Sequence, residues 1–169
     1  MQFTEQVNWN LFDFAFAGVL LFATGLAYSL VAQKGGTRAY RAATGIALWT
    51  ALLLIWVNGA VGIIGSENNP ANLLYSSVLA ILVVGALIAR FQARRMALAL
   101  FVTAIAQMSV PFIALIVWPS TAGFWGDAGI VGVIMLNTLF AILFAASGLL
   151  FWQVNASIGE VAPTHQSFT

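Results

Sequence analysis

Met96–Trp118 reads MALALFVTAIAQMSVPFIALIVW. None of these 23 residues is charged, and a helix over them rises about 35 Å at ~1.5 Å per residue. That length crosses a hydrocarbon core of about 30 Å. The polar side chains in the stretch, Thr103, Gln107 and Ser109, are too few to make the polar face of a soluble helix. The stretch predicts a transmembrane helix, and the rest of the chain resolves in the same way when read outward from it.

Four more apolar runs flank it: Leu11 to Ala32, Tyr40 to Ile64, Leu73 to Ala89, and Ile130 to Val154. The connectors are QKGGTRA (33–39), GSENNPAN (65–72), RFQARR (90–95) and PSTAGFWGDAG (119–129). Each is polar or turn-forming. The composition agrees: 62% of the 169 residues are hydrophobic and 7% charged, with a mean hydropathy of +0.97, against roughly 25% charged in a soluble domain. The expected architecture is all-α, a polytopic membrane bundle of five transmembrane helices. Residues 1–154 form a single helix-bundle domain in this reading, and NASIGEVAPTHQSFT (155–169) forms a polar C-terminal tail expected to be poorly ordered.

Basic residues set the expected orientation. Lys34, Arg38 and Arg41 follow the first span, and Arg90, Arg94 and Arg95 join the third and fourth, so both clusters fall on one face. Positive charge is retained on the cytoplasmic side. The N-terminus is then outside with Glu5, Glu67 and Asp127, and the C-terminus inside with Glu160 and His165. MQFTEQ lacks a basic segment and the run after it is too long for a cleaved signal, so the first span is expected to remain. Trp9, Trp56, Tyr75, Trp118 and Trp125 lie near the expected outer boundary, Tyr40 and Trp152 near the inner one, as interfacial anchors. Trp49 falls mid-span and calls for a packing reason.

Absent residues narrow the chemistry. The chain has no cysteine, hence no disulfide, thiolate metal site, iron–sulfur cluster or cysteine nucleophile. Its one histidine, His165, lies in the tail, away from any haem or hydrolase geometry between helices, and no lysine lies within a span to hold a retinal Schiff base. There is no phosphate loop, dinucleotide fingerprint or zinc-protease motif. A net charge of +1 gives no basic surface for nucleic acid. The expectation is a protein that is not an enzyme and has no cofactor, no metal and no nucleic-acid partner.

The remaining polar groups gather in the outer half. Asn58 and Asn137 lie roughly 6 to 8 Å outward from the middle of their runs, Gln107 near the midplane, and Asp13 near the outer interface. Above them the 65–72 loop adds Glu67, Asn68, Asn69 and Asn72. Lipid offers such groups no hydrogen bonds, so they should face other helices or a watery recess. Pro70 predicts a helix start near Ala71 capped by Asn69 or Asn68. Pro111 withholds a backbone N–H from the Gln107 carbonyl and favours a bend. Two glycine series, Gly59, Gly62, Gly65 and Gly123, Gly126, Gly129, Gly132, read first as small-residue helix packing. Alternatively they mark backbone that unwinds to present carbonyls or amides to a ligand.

VNWNLFDF, WVNGAVGIIGSENNPANLLY and ARFQARRMA together resemble a family of small uncharacterised bacterial inner-membrane proteins, with GIIGSENNPAN the most distinctive part. The resemblance implies a multi-pass protein of the bacterial cytoplasmic membrane and no particular activity.

Two functions fit these residues. In the first, an outward-facing polar site roofed by residues 65–72 binds or permeates a small polar or cationic species. Asp13 and Glu67 supply charge, and Asn58, Asn68, Asn72, Gln107 and Asn137 supply amide contacts. Five spans are few to enclose a pathway, so permeation would call for a homo-oligomer. In the second, the protein is a non-transporting accessory or assembly subunit of a larger membrane complex. A recess reachable from water favours the first, and amides saturated between packed helices favour the second.

Overall fold

The structure, a computed structural model, describes residues 11–66, 68–119, 125 and 129–160, the side chains at 12, 13, 155 and 157–160 excepted. Helix α1 covers Leu11–Ala32 and α2 Arg38–Ala60; a 3-10 turn at Pro70–Leu73 leads directly into α3, Leu74–Ala89; α4 covers Ala93–Val117 and α5 Gly129–Glu160. Among the described residues, five helices are long and apolar enough to cross a membrane, and together they suggest a multi-pass membrane protein.

Helix ends follow local chemistry. Thr37 starts α2 by accepting the Tyr40 N–H on its hydroxyl oxygen at 3.2 Å. The same helix stops at Ala60, short of the expected Ile64, because Gly62 (φ 70°) and Gly65 (φ 74°) adopt left-handed backbone that no right-handed helix contains. Asn69 caps the 3-10 turn, its Oδ1 accepting the Ala71 N–H at 3.0 Å, with Pro70 in the first position. Helix α5 runs on to Glu160, past the expected Val154, since no breaker occurs before Gly159 and Pro163. The expected polar tail therefore begins as helix, and residues 161–169 lie outside the described residues.

Helix α4 packs mainly on α5 and α3, α5 also on α2, and α1 lies against α2. The closest approaches use glycines other than the two expected series. A Cβ on Gly148 of α5 would sit 3.0 Å from the Phe101 ring, and one on Gly85 of α3 would sit 2.9 Å from Ala99 Cβ. Gly59 and Gly129 face open space, Gly62 and Gly65 belong to a turn, and Gly123 and Gly126 lie outside the described residues. Gly59, Gly62, Gly65 and Gly129 are therefore not where helices meet. A buried Ser147 hydroxyl also donates to the Ala43 carbonyl at 2.7 Å, tying α5 to α2.

Helix α1 is peripheral. Its half-buried residues Ala17, Leu20, Thr24, Ala27 and Val31 recur at alternating spacings of three and four, the seam expected of two helices in left-handed contact. Its other faces expose Phe14, Val19, Leu21, Phe22 and Leu30. Such surface is untenable in water over this length and ordinary in hydrocarbon. Trp49 is also exposed, so its mid-span position has no packing cause, whereas Trp125, expected as an interfacial anchor, is 2% exposed in the core.

The two basic connectors meet at one end of the bundle, where the Tyr40 hydroxyl donates to the Phe91 carbonyl at 2.7 Å. The asparagine loop lies at the other. Cysteines introduced singly at exposed Ser66 and Gln92 of this cysteine-free chain are therefore expected to react with an impermeant maleimide from opposite sides of a membrane. Labelling of both from one side would overturn the five-span arrangement.

Candidate functional site

The sequence marks seven candidate residues, and the structure sorts them into two groups and a remainder. Glu67 and the side chain of Asp13 lie outside the described residues. Asn68 is exposed on the loop, away from the buried polar groups.

The first group folds the loop. Asn72 is 5% exposed, and its carboxamide behaves as a surrogate strand: Oδ1 accepts the Ile64 N–H at 2.9 Å, while Nδ2 donates to the carbonyls of Ile64 at 3.3 Å and Ser66 at 2.7 Å. Ending α2 at Ala60 strands the backbone groups of the segment that follows, and a buried backbone group without a partner is costly. Asn72 satisfies three of them from one side chain. The carbonyls released by the unwound segment thus point at Asn72, which acts as a structural staple with both Nδ2 donors engaged. Asn58, on the last turn of α2, donates from Nδ2 to the Asn72 carbonyl at a long 3.4 Å. Its Oδ1 is buried with no partner.

The second group lies deeper, where α3, α4 and α5 meet. Asn137 and Gln107 are fully buried, and Tyr75 is 1% exposed. Asn137 Nδ2 donates to the Val133 carbonyl at 2.8 Å and to the Tyr75 hydroxyl at 2.9 Å. Its Oδ1 accepts from Gln107 Nε2 at 3.0 Å and from the Tyr75 hydroxyl at 3.2 Å. These bonds fix both amide orientations. Only a donor can face the Val133 carbonyl, so Asn137 turns its Nδ2 there and its Oδ1 toward Gln107, which must then present Nε2. Rotating either amide by half a turn would set acceptor against acceptor. Gln107 Oε1 is consequently left buried without a partner.

Gln107 concentrates unmet acceptor capacity in a second way. Pro111, buried inside α4, has no N–H to give to the Gln107 carbonyl four residues earlier. Helix α4 continues through it without interruption from Ala93 to Val117.

The sequence reading placed Tyr75 at the interface and so missed its part in this cluster. The available signal was spacing: Tyr75 is three residues after Asn72, one turn on, which carries the polar column from the loop into the bundle. The two groups are linked through that turn, with one unpartnered oxygen at the Asn58 end and one at the Gln107 end. Every described member is neutral, four carboxamides and a phenol being acceptors or donors without charge. The arrangement holds hydrogen-bonding partners in a low-dielectric interior and leaves two carboxamide oxygens, those of Asn58 and Gln107, without a bond.

The fold and this cluster define a five-helix apolar bundle of multi-pass type with a neutral polar column running inward from one end. No family model, no curated protein and no solved structure matches the chain.

Proposed function

We propose that the protein, set in the bacterial cytoplasmic membrane with its N-terminus outside, binds a small neutral hydrogen-bond donor in the outer half of its bundle. The observation that carries this reading is the buried, partnerless Oε1 of Gln107, held in place by the Asn137 and Tyr75 bonds. An acceptor buried without a bond costs about 1–3 kcal/mol, and a ligand that donates there recovers it. Neutrality of the described groups favours an uncharged donor such as an alcohol or amide over a cation. Cation binding would depend on Asp13 or Glu67. Passage across the membrane would require further copies of the chain to enclose a path.

The test is a thermal-shift screen of the purified protein in detergent against neutral alcohols, amides and polyols, with monovalent and divalent cations in parallel. A ligand at about 100 times its dissociation constant adds roughly 2.7 kcal/mol to the folded state. Asn58→Leu is expected to cost under ~1 kcal/mol of stability, since it removes one long hydrogen bond together with an unpartnered oxygen, and to weaken the shift. Gln107→Leu is expected to abolish it. A shift confined to cations and lost in Asp13→Asn or Glu67→Gln would replace the neutral ligand with a charged one. No water-soluble hit at all would overturn the reading.

A second reading, an accessory or assembly subunit, is favoured by α1. Opposite its α2 seam, Ala15, Gly18, Phe22, Gly25 and Ser29 form another three-and-four spaced seam, exposed along its length, and a Cβ at Gly18 or Gly25 would meet nothing within 4 Å. Saturation of the Asn137 amide by internal bonds also supports it. An absence of soluble ligands combined with co-purification of a stoichiometric membrane partner, lost in Gly18→Leu/Gly25→Leu, would decide for this reading.

A further inference from the structure

The end of the bundle away from the asparagine loop carries a separate set of groups. Lys34, Arg38, Arg41, Arg90, Arg94 and Arg95 are all exposed there. They come from two connectors far apart in sequence that are assembled into one surface. Tyr40, buried at 2% exposure, packs edge-on against Phe151 with ring centroids 4.9 Å apart and donates its hydroxyl to the Phe91 carbonyl at 2.7 Å. Lys34 Nζ lies 4.8 Å from the centroid of the Phe91 ring, a cation–π contact. Gly35 lies so close to the Tyr40 ring that any Cβ there would collide with it.

Arg90 (φ 48°) and Phe91 (φ 60°) both adopt left-handed backbone, a conformation unfavourable for side-chain-bearing residues. The tight turn they make keeps Arg90 beside Arg94 and Arg95 at the start of α4.

This surface is electrostatically unbalanced. No acidic side chain is described beside these six cations. Helix dipoles make matters worse: Arg38 opens α2, and Arg94 and Arg95 lie in the first turn of α4, where the positive end of a helix disfavours cations. The α4 N-cap, Gln92, gives no side-chain hydrogen bond to the first-turn N–H groups, which are left without intrahelical acceptors. Crowded guanidinium groups, a cation-disfavouring field and free N–H donors all call for the same partner, a multivalent oxyanion. For a bundle seated in a membrane, a reading on which this inference rests, that end meets the head groups.

We infer that the assembled basic end binds the phosphate head groups of anionic phospholipids, with Arg38 and Arg41 on α2 and Arg94 and Arg95 on α4 as the principal contacts. Each guanidinium brings a fixed positive charge to the phosphate oxygens. A bound phosphate also neutralises the charge that each helix start would otherwise repel.

The test is competition between phosphatidylglycerol and phosphatidylcholine for the purified full-length protein, read as lipid retained by native mass spectrometry. Phosphatidylglycerol is expected to be retained at least about tenfold over phosphatidylcholine. Arg38→Gln/Arg41→Gln and Arg94→Gln/Arg95→Gln should each reduce that preference by about fivefold, the ratio equivalent to the ~1 kcal/mol a basic side chain gains at an anionic surface. Arg94→Lys/Arg95→Lys, which keeps the charges that orient the chain, should retain most of it. Equal retention of the two lipids would overturn the proposal. So would a Lys pair as impaired as the Gln pair, which would trace the loss to the fold, or displacement of phosphatidylglycerol by equimolar inorganic phosphate, which would indicate a soluble anion. Failure here leaves the neutral-donor site untouched, because that site is read by soluble ligands and by Asn58 and Gln107.

Discussion

Asn137→Leu is expected to destabilise the bundle by about 3 kcal/mol, measured by SDS titration in bicelles. Leucine keeps the branched outline of asparagine and leaves no cavity, so the loss arises chiefly from hydrogen bonding. Asn137 joins α5 to α3 through Tyr75 and to α4 through Gln107. Interhelical hydrogen bonds in membranes average ~0.6 kcal/mol and reach ~1.7, which for these contacts gives one part of the effect. The other part is the stranding of the Tyr75 hydroxyl and the Gln107 Nε2 in a fully buried site, at ~1–3 kcal/mol for an unsatisfied group. A change below about 1 kcal/mol would mean that the three side chains act independently of one another.

The same argument makes a contrasting claim about the triple variant Tyr75→Phe/Gln107→Leu/Asn137→Leu. With all three polar groups gone nothing is stranded, and the unpartnered Gln107 Oε1 is removed as well. Replacing every partner by an apolar group of similar shape is often close to neutral, so the triple variant should be more stable than Asn137→Leu alone. The cluster is then a feature the fold tolerates and does not need, which fits a binding role. A triple variant no better than the single one would instead make the cluster part of what holds α3, α4 and α5 in register.

Much of the fold was legible because membrane spans are written in composition over some twenty residues, a signal that survives local error. Helix starts and stops that depend on one residue were legible only where that residue's chemistry is singular. Pro70 with Asn69 announced the turn before α3, and Gly62 and Gly65 hinted at the break after α2 without saying which of their two readings would hold. The site was less legible. Hydropathy and depth located Asn58, Gln107 and Asn137 but could not tell a saturated amide from a stranded one, because that depends on which acceptor lies opposite. The bonds by which Asn72 folds the loop were not legible, since its partners, Ile64 and Ser66, are brought to it only by the left-handed turn at Gly62. Tyr75 looked like an anchor because aromatic residues near a span's end usually are. Gly85 and Gly148 were missed because close helix approach is set by which faces meet, and sequence spacing alone does not specify that.

Gly62→Ala is expected to be the most damaging single change in the loop, lowering stability by about 3–4 kcal/mol in the same SDS titration. Left-handed backbone at φ 70° is the first cause, worth ~1 kcal/mol or more for alanine. Collision is the second and larger. The added Cβ would sit 2.5 Å from the Ser66 carbonyl carbon and oxygen and 2.7 Å from Asn72 Nδ2. The Ser66 atoms belong to backbone and the Asn72 amide is held by its own bonds, so neither moves without breaking the staple of Asn72 to Ile64 and Ser66. Relief of the clash therefore strands the very carbonyls that Asn72 satisfies, and strain and hydrogen-bond loss combine at one methyl group. Gly59→Ala, three residues earlier, meets nothing within 4 Å and sits on ordinary helix, so it should be neutral or slightly stabilising. Equal effects at the two positions would show that the turn yields to the methyl group, and with it the account of Asn72 as the residue that folds the loop.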